Sequence, residues 1–259
     1  MRRPTLSPSK ITTYLACPTK YRWTYLDDRG KWYLRSKSYF SFGTSLHQVL
    51  QRYHDASDTG VTTTEEAIAA LEESWIDAGY GSQDEMMQAL AEGKSLVKNY
   101  TERIQKEPVT SETIYIEKLI KMDLGAFILQ GRVDRVDELP DGSLEVVDYK
   151  SKRSTVTEED IKFDVAMGIY QMILEHLHPH RPVLTSIIAL QSGDKASVSL
   201  TPEELSKFRE DIISIGDEML NRDWENHRPA FKPLCHSCDF LPLCRKDPEF
   251  DYAAPEPVE

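Results

Sequence analysis

The sequence predicts an α/β fold in which helices flank a small mixed β-sheet, and three observations carry that reading. Residues 131–153 read as two strands joined by a tight turn, because apolar and polar residues alternate on both sides of Leu139-Pro140-Asp141-Gly142-Ser143. Stretches before and after this hairpin repeat apolar residues at helical spacing instead, notably 62–107, 157–178 and 202–224. Short runs of strand-forming residues at 114–120, 183–191 and 195–200 supply the rest of a sheet. With 259 residues and 40% hydrophobic content, the chain can bury a full core as a single domain.

From the N-terminus, residues 7–26 read as helix with a break near Cys17-Pro18, since Ser7 and Ser9 are good caps and Ile11, Tyr14 and Leu15 recur at helical spacing. A second helix begins around Phe42-Gly43-Thr44, with Ser41 or Thr44 as cap and His47 in its first turns. Residues 62–107 hold two helical runs, one capped by Thr64 and one from 84 to 106, and read as an insertion whose acidic faces are solvated. The strand at 114–120 precedes the hairpin in an antiparallel meander. Beyond the hairpin, Thr157 with Asp160 opens one helix that runs to about His178, striped by Ile161, Val165, Ile169, Ile173 and Leu177. The 202–224 helix is capped, and 248–259 forms an acidic tail with prolines.

The hairpin carries the chemistry. Pro140 suits a type I turn and Gly142 the left-handed position after it, which makes a three-residue loop and fixes the register. Asp134 then falls directly opposite Asp148, with both side chains on one face. Opposed carboxylates are destabilising, and one pKa rises, unless a cation sits between them. Mg²⁺ or Mn²⁺, which prefer oxygen ligands, would supply that cation. Lys150 shares the face of Asp148, where it can hold water or a phosphate oxygen, and Tyr149 points the other way.

Charge and cysteine content narrow the partners. A net charge of −12 excludes a general basic coat for nucleic acid but allows a local basic groove. Between Tyr14 and Phe42 lie nine of the chain's 24 aromatics, interleaved with Lys20, Arg22, Arg29, Lys31, Arg35 and Lys37 against only Asp27 and Asp28. Such a mixture suits single-stranded nucleic acid, with Lys31, Trp32, Arg35 and Lys37 as candidate DNA contacts; the alternative is that most of the rings are helix core. No phosphate-loop motif encodes a nucleotide-driven motor, no apolar run reaches membrane-span length, and the start lacks a signal-peptide core, so a cytoplasmic location is expected. The four cysteines, Cys17 near the start and Cys235, Cys238 and Cys244 near the end, suit a four-thiolate site rather than disulfides. Spacing alone leaves zinc and [4Fe–4S] both open.

Gly131-Arg132-Val133-Asp134 and Val147-Asp148-Tyr149-Lys150 resemble the PD-(D/E)xK nuclease superfamily, most of all its RecB-type branch, and the likeness runs along nearly the whole chain. The resemblance implies a restriction-endonuclease-like core at 41–227, with cluster-binding segments at 1–40 and 228–247 joined by an iron-sulfur clasp. By the same likeness His47, Asp134, Asp148 and the Tyr149 carbonyl would be metal ligands, Lys150 and Tyr170 catalytic residues, and Glu117 an outer ligand. Cys17, Cys235, Cys238 and Cys244 would hold [4Fe–4S], as in CRISPR-adaptation nucleases. One departure is evident: Ala166 stands where RecB-like nucleases place the Gln of Gln-x-x-x-Tyr, and Gln171 is on another side of the helix. The expected activity is a metal-dependent DNA exonuclease on single strands or free ends, with recombination, repair or CRISPR-adaptation partners. The rivals are a catalytically silent DNA-binding subunit and a zinc-stapled nuclease acting on RNA.

Overall fold

The computed structural model describes residues 3–106 and 111–250, so the tail expected beyond 250 lies outside the described residues. In chain order the elements are β1 (Thr5–Leu6), α1 (Pro8–Ala16), α2 (Pro18–Tyr21), α3 (Ser38–His54), α4 (Ala56–Thr59), α5 (Thr64–Glu73) and α6 (Gln83–Lys106). Then come β2 (Glu112–Asp123), β3 (Ile128–Glu138), β4 (Leu144–Lys150), α7 (Glu158–Lys162), α8 (Val165–Leu177), β5 (Val183–Ala189), β6 (Lys195–Val198), α9 (Pro202–Asn221) and α10 (Leu241–Cys244).

The strands form one mixed sheet. β2, β3 and β4 make the expected antiparallel meander, β5 joins β4 in parallel after the α7–α8 crossover, and β6 closes the edge antiparallel to β5. One detail positions the site. β2 lies along one edge of β3 from Ile128 to Glu138, while the other edge is shared by β1 at Ile128–Leu129 and β4 at Arg135–Glu138. Residues 130–134 therefore have no strand partner on that second edge.

Two apolar layers sandwich the sheet. Leu6, Ile11, Leu129, Val146, Ile169 and Ile173 belong to one core, with side chains of α9 packed against it. Leu46, Leu50, Leu71, Val97, Val147 and Ile188 make the other, under α3, α5 and α6. The 62–107 stretch thus builds a complete helical layer, because its apolar stripe has a sheet face to bury.

Three boundaries differ from the sequence reading, each through side-chain bonding. α3 starts at Ser38 rather than near Phe42, and neither Ser41 nor Thr44 caps it; the Ser41 hydroxyl instead donates to Ala78 O at 2.7 Å. Thr63, not Thr64, caps α5 in a capping box with Glu66, while Thr64 is buried and hydrogen-bonded to Thr101 (2.8 Å). The single helix predicted from Thr157 to His178 is two helices, because Asp164 accepts hydrogen bonds from the Ala166 and Met167 N–H groups and starts α8 afresh. The 7–26 helix does break at Cys17-Pro18, which ends α1 and begins α2. No helix among the described residues is long and apolar enough to cross a membrane.

Candidate active site

The hairpin register is the one its turn dictates. Leu139 N–H donates to Ser143 O (2.9 Å), Gly142 takes a φ of 85°, and the ladder pairs run from Glu138 opposite Leu144 to Arg135 opposite Val147. Asp134 and Asp148 come next along that line, where the ladder stops. Tyr149 N–H donates there to Asp134 Oδ2 (3.0 Å), so a side chain takes the place of a main-chain acceptor. The open edge of β3 is thereby lined by carboxylates.

α3 brings His47 into this opening. Its Nδ1 lies 3.2 Å from Asp134 Oδ1 and its Nε2 lies 3.0 Å from the Tyr149 carbonyl oxygen, which turns toward the same space. Burial alone would lower the His47 pKa, but its hydrogen bond to Asp134, with the charges of Asp134 and Asp148, reverses this and raises it to about 9. In the metal-free chain an imidazolium thus occupies the position of a cation, and a metal has to displace its proton. Asp148 is pushed up to about 6 by burial and by the charge of Asp134, against the lowering effect of Lys150.

Glu117 joins the same centre. Its φ of 47° is the only left-handed backbone among non-glycine described residues, and the β2–β3 ladder skips it between Ile116 and Lys118. Such a conformation costs on the order of 1–3 kcal/mol and persists where the surroundings demand it. Arg132 Nη1 donates to Glu117 O at 2.6 Å and so ties down this strained residue. Burial and the charge of Asp134 raise the Glu117 carboxyl pKa. Donor atoms of His47, Glu117 and Asp134 all lie within 4.8 Å of one another, so Glu117, expected as an outer ligand, stands in this compact group, whereas Asp148, expected as a ligand, is not one of the three. Carboxylates held against mutual repulsion, with one imidazole and the Tyr149 carbonyl, form a donor set that fits a divalent cation such as Mg²⁺ or Mn²⁺.

Lys150 Nζ lies 2.7 Å from Asp148 Oδ2 and 3.9 Å from Asp164 Oδ2. Burial opposes its charge, yet the neighbouring carboxylates raise its pKa, so in the metal-free chain it is held as a cation. The Tyr170 hydroxyl donates to Arg132 O (2.8 Å), and its pKa is raised by burial and nearby acids, so it remains a neutral donor. A Cβ on Gly131 would stand 2.5 Å from the Tyr170 ring, which is why that strand position is glycine. Gly131→Ala should therefore displace Tyr170 and lower turnover about tenfold or more, while leaving metal affinity within a fewfold of the parent; steady-state kinetics and metal titration check it. Gln171 does not replace the Gln missing at Ala166, because it is buried and bonded to the main chain of Leu200, donating to O and accepting from N–H at 2.9 Å each.

Two contributors escape sequence reasoning. Asp164, which caps α8 and approaches Lys150, had a detectable signal as an Asp before an apolar run. Arg135 had none. It is buried behind the site, where Nη1 donates to the Tyr149 hydroxyl (2.9 Å), the Tyr100 hydroxyl (3.0 Å) and His54 Nε2 (2.6 Å), and Nε lies 3.1 Å from Asp137 Oδ2. Burial and the Arg135 charge push His54 well down, so it accepts as a neutral ring. The network locks the Tyr149 side chain, and with it the strand segment carrying Asp148 and Lys150, to α3 and α6.

The cysteines lie apart from this centre. Cys17, Cys235 and Cys244 are buried and Cys238 is half-buried. Cys17 Sγ accepts from Lys20 N–H and Cys235 Sγ from Lys232 N–H, both at 3.4 Å. Lys232 Nζ donates to Ala16 O (3.0 Å), and Lys37 pairs with Asp239 (2.6 Å), so the two end segments are tied by protein contacts as well. Of the candidate DNA contacts, Lys31 pairs with Asp28 (2.6 Å), whereas Trp32 is 86% exposed and Arg35 is exposed.

The sequence profile of the PD-(D/E)XK nuclease superfamily matches residues 5–245. No curated protein matches the sequence. Among solved structures, a protein from Eubacterium rectale named "Putative exonuclease" superposes with a TM-score of 0.56 at 11% identity, over 98% of this chain and 91% of that one, which shows a shared fold. The crystal structure of SSO0001 aligns over 95% of this chain and 88% of that one at 12% identity, with a TM-score of 0.39. Match and fold agree with the carboxylates and lysine on the hairpin, and the chain belongs to the PD-(D/E)XK nuclease superfamily.

Proposed function

We propose that the chain is a RecB-like, metal-dependent exodeoxyribonuclease that hydrolyses phosphodiester bonds in single-stranded DNA or at DNA ends, working in the cytoplasm with recombination, repair or CRISPR-adaptation proteins. The observation that carries this is the carboxylate pair. Asp148 is raised to about 6 beside Asp134, with the His47 imidazolium in contact and Lys150 held as a cation 2.7 Å away. His47, Asp134, Asp148 and the Tyr149 carbonyl would hold Mn²⁺ or Mg²⁺, with Glu117 beside them. A bound divalent ion would lower the pKa of water and neutralise phosphate charge. Lys150 would orient that water or a phosphate oxygen, and Tyr170 would keep the Arg132 strand in place. A silent DNA-binding subunit would have no reason to keep this set.

A [4Fe–4S] cluster on Cys17, Cys235, Cys238 and Cys244 fits the donors present. Burial first, and then the charges of Cys238, Cys17 and Cys235, push the Cys244 thiol up to about 12, so the four sulfurs share one neighbourhood and need a cation to ionise together. Among the described residues no three sulfurs lie within 4.8 Å of one another. Zinc and a polynuclear iron-sulfur cluster both accept four thiolates, and the metal content of the purified protein separates them.

The test is a product ladder from end-labelled single- and double-stranded DNA, with free and blocked ends, in Mn²⁺. Mononucleotides released from free single-strand ends support the reading; intact DNA, or cleavage confined to RNA, defeats it. In the same assay Lys150→Ala should lose about 100-fold or more in rate while keeping most of the metal-induced rise in Tm, because lysine is not a ligand.

A further inference from the structure

We infer that two aromatic platforms flank the end of the catalytic strand and that each stacks a base of a single-stranded nucleic acid whose backbone crosses the ridge between them. The inference deepens the nuclease reading and takes only its location from it. β4 ends at Lys150 and the chain continues as Ser151-Lys152-Arg153, which places three cations in four residues. Arg153 pairs with Asp160 (3.2 Å), whereas Lys152 has no carboxylate partner among the described residues.

On one flank lies the first turn of α3. Tyr39 is 46% and Phe40 65% exposed, with ring centroids 4.4 Å apart, and Lys152 Nζ stands 5.2 Å from the Tyr39 centroid. Tyr39 and Lys152 line a cavity of about 260 Å³ together with Tyr80, Glu85 and Glu92. The Tyr80 hydroxyl is buried there and has no hydrogen-bond partner. On the other flank Phe163, 79% exposed, projects from the break between α7 and α8 over a cavity of about 470 Å³ lined also by Arg153, Asp160 and Asp164. Asp164 is the residue that reaches to 3.9 Å from Lys150. Five aromatic side chains are exposed among the described residues, Tyr25, Trp32, Tyr39, Phe40 and Phe163, and three of the five border this short ridge.

Chemistry selects the occupant. Exposed rings beside a cation with no carboxylate partner, here Lys152, are the pattern on which bases stack while phosphates meet charge. The acids are placed consistently with that arrangement. Glu85, Glu92, Asp160 and Asp164 rim the cavities and repel phosphate, so the backbone is confined to the Lys150–Arg153 ridge, while the same carboxylates accept hydrogen bonds from the amino groups of a base. Bases in a duplex are already stacked and paired, so only a single strand can fill both cavities at once.

The experiment uses the full chain carrying Asp148→Asn to prevent cleavage, and a short single strand containing 2-aminopurine. Binding should quench the aminopurine fluorescence. Phe163→Ala and the pair Tyr39→Ala, Phe40→Ala should each weaken binding about 5- to 100-fold. Phe163→Tyr should restore most of the loss, which separates stacking from any damage to the fold. A strand with an abasic residue at the probed position should bind like the Phe163→Ala complex. Equal affinity for normal and abasic strands, equal affinity for duplex, or variants that bind like the parent would overturn the inference. Failure of the unmutated chain to cut any strand in Mn²⁺ would instead defeat the nuclease reading, because equilibrium binding reports on the platforms without cleavage.

Discussion

Asp148→Asn should abolish hydrolysis, with a loss of more than about 100-fold, and should leave the metal-free chain at least as stable as the parent at pH 7 and above. Asp148 carries a folded-state pKa of about 6 against 3.8 for a free aspartate, because it is buried and faces Asp134. A carboxyl whose pKa rises on folding binds its proton more tightly in the native state, so its ionisation subtracts stability. That cost is absent below about pH 4, grows as pH rises toward 6, and is fully present above it. Asparagine removes the charge and keeps the shape. The Tm difference between mutant and parent should therefore grow with pH from 4 to 7, in the mutant's favour. Mn²⁺ should raise the Tm of the parent much more than that of the mutant, since the parent alone presents both carboxylates to the ion. Thermal melts across pH, with and without Mn²⁺, check all of this. Full activity in the mutant, or equal stabilisation of both proteins by Mn²⁺, would remove the opposed-carboxylate site and the main physical support for metal-dependent cleavage.

Cys17→Ala or Cys238→Ala should cost about 5 kcal/mol of stability by the loop-closure argument, because a crosslink joining the two ends closes nearly the whole chain. For a domain of this size that is a fall in Tm of about 10–20 °C. Anaerobically purified parent should be brown, with broad absorption near about 400 nm, and either variant should be pale and release iron. A colourless parent holding one equivalent of zinc would refute the cluster while leaving the stability loss standing. A variant as stable as the parent would show that Lys37–Asp239 and Lys232–Ala16 hold the ends without help.

The sequence makes the meander legible because its turn chemistry is local: Pro140 and Gly142 set the loop, the loop sets the register, and the register brings Asp134 and Asp148 to the same end of the hairpin. His47 is also legible as a motif, although the start of its helix is not, since the Ser41 hydroxyl bonds to Ala78, far away in sequence. The α7–α8 break was hidden by an unbroken apolar stripe, whose continuity says nothing about a cap contributed by Asp164. Glu117 was visible as a strand acid and, by the family resemblance, as an outer ligand. Its place in the compact donor group depends on a left-handed backbone that no residue preference predicts. Arg135 was invisible altogether, because a buried guanidinium is stabilised by Tyr100, Tyr149 and His54, which come from three other elements. The tie between Lys37 and Asp239, which joins the two end segments, has no local signal in the sequence either.

The bond between Lys232 and Ala16 spans 216 residues, and its length sets an order of events during synthesis. A ribosome adding about 5–20 residues per second needs roughly 10–40 s to bridge that interval. Until then Cys17 is outside the tunnel without its C-terminal partners, whereas β1 can meet β3 little more than half-way through, once Ile128 and Leu129 have been made. The carboxylate hairpin emerges in the meantime, so every residue of the candidate centre has been made before the ends can be fastened. A nascent chain arrested short of Cys235 would hold all of those residues in a frame that is not yet closed, and ready proteolysis of its first twenty or so residues would mark that interval.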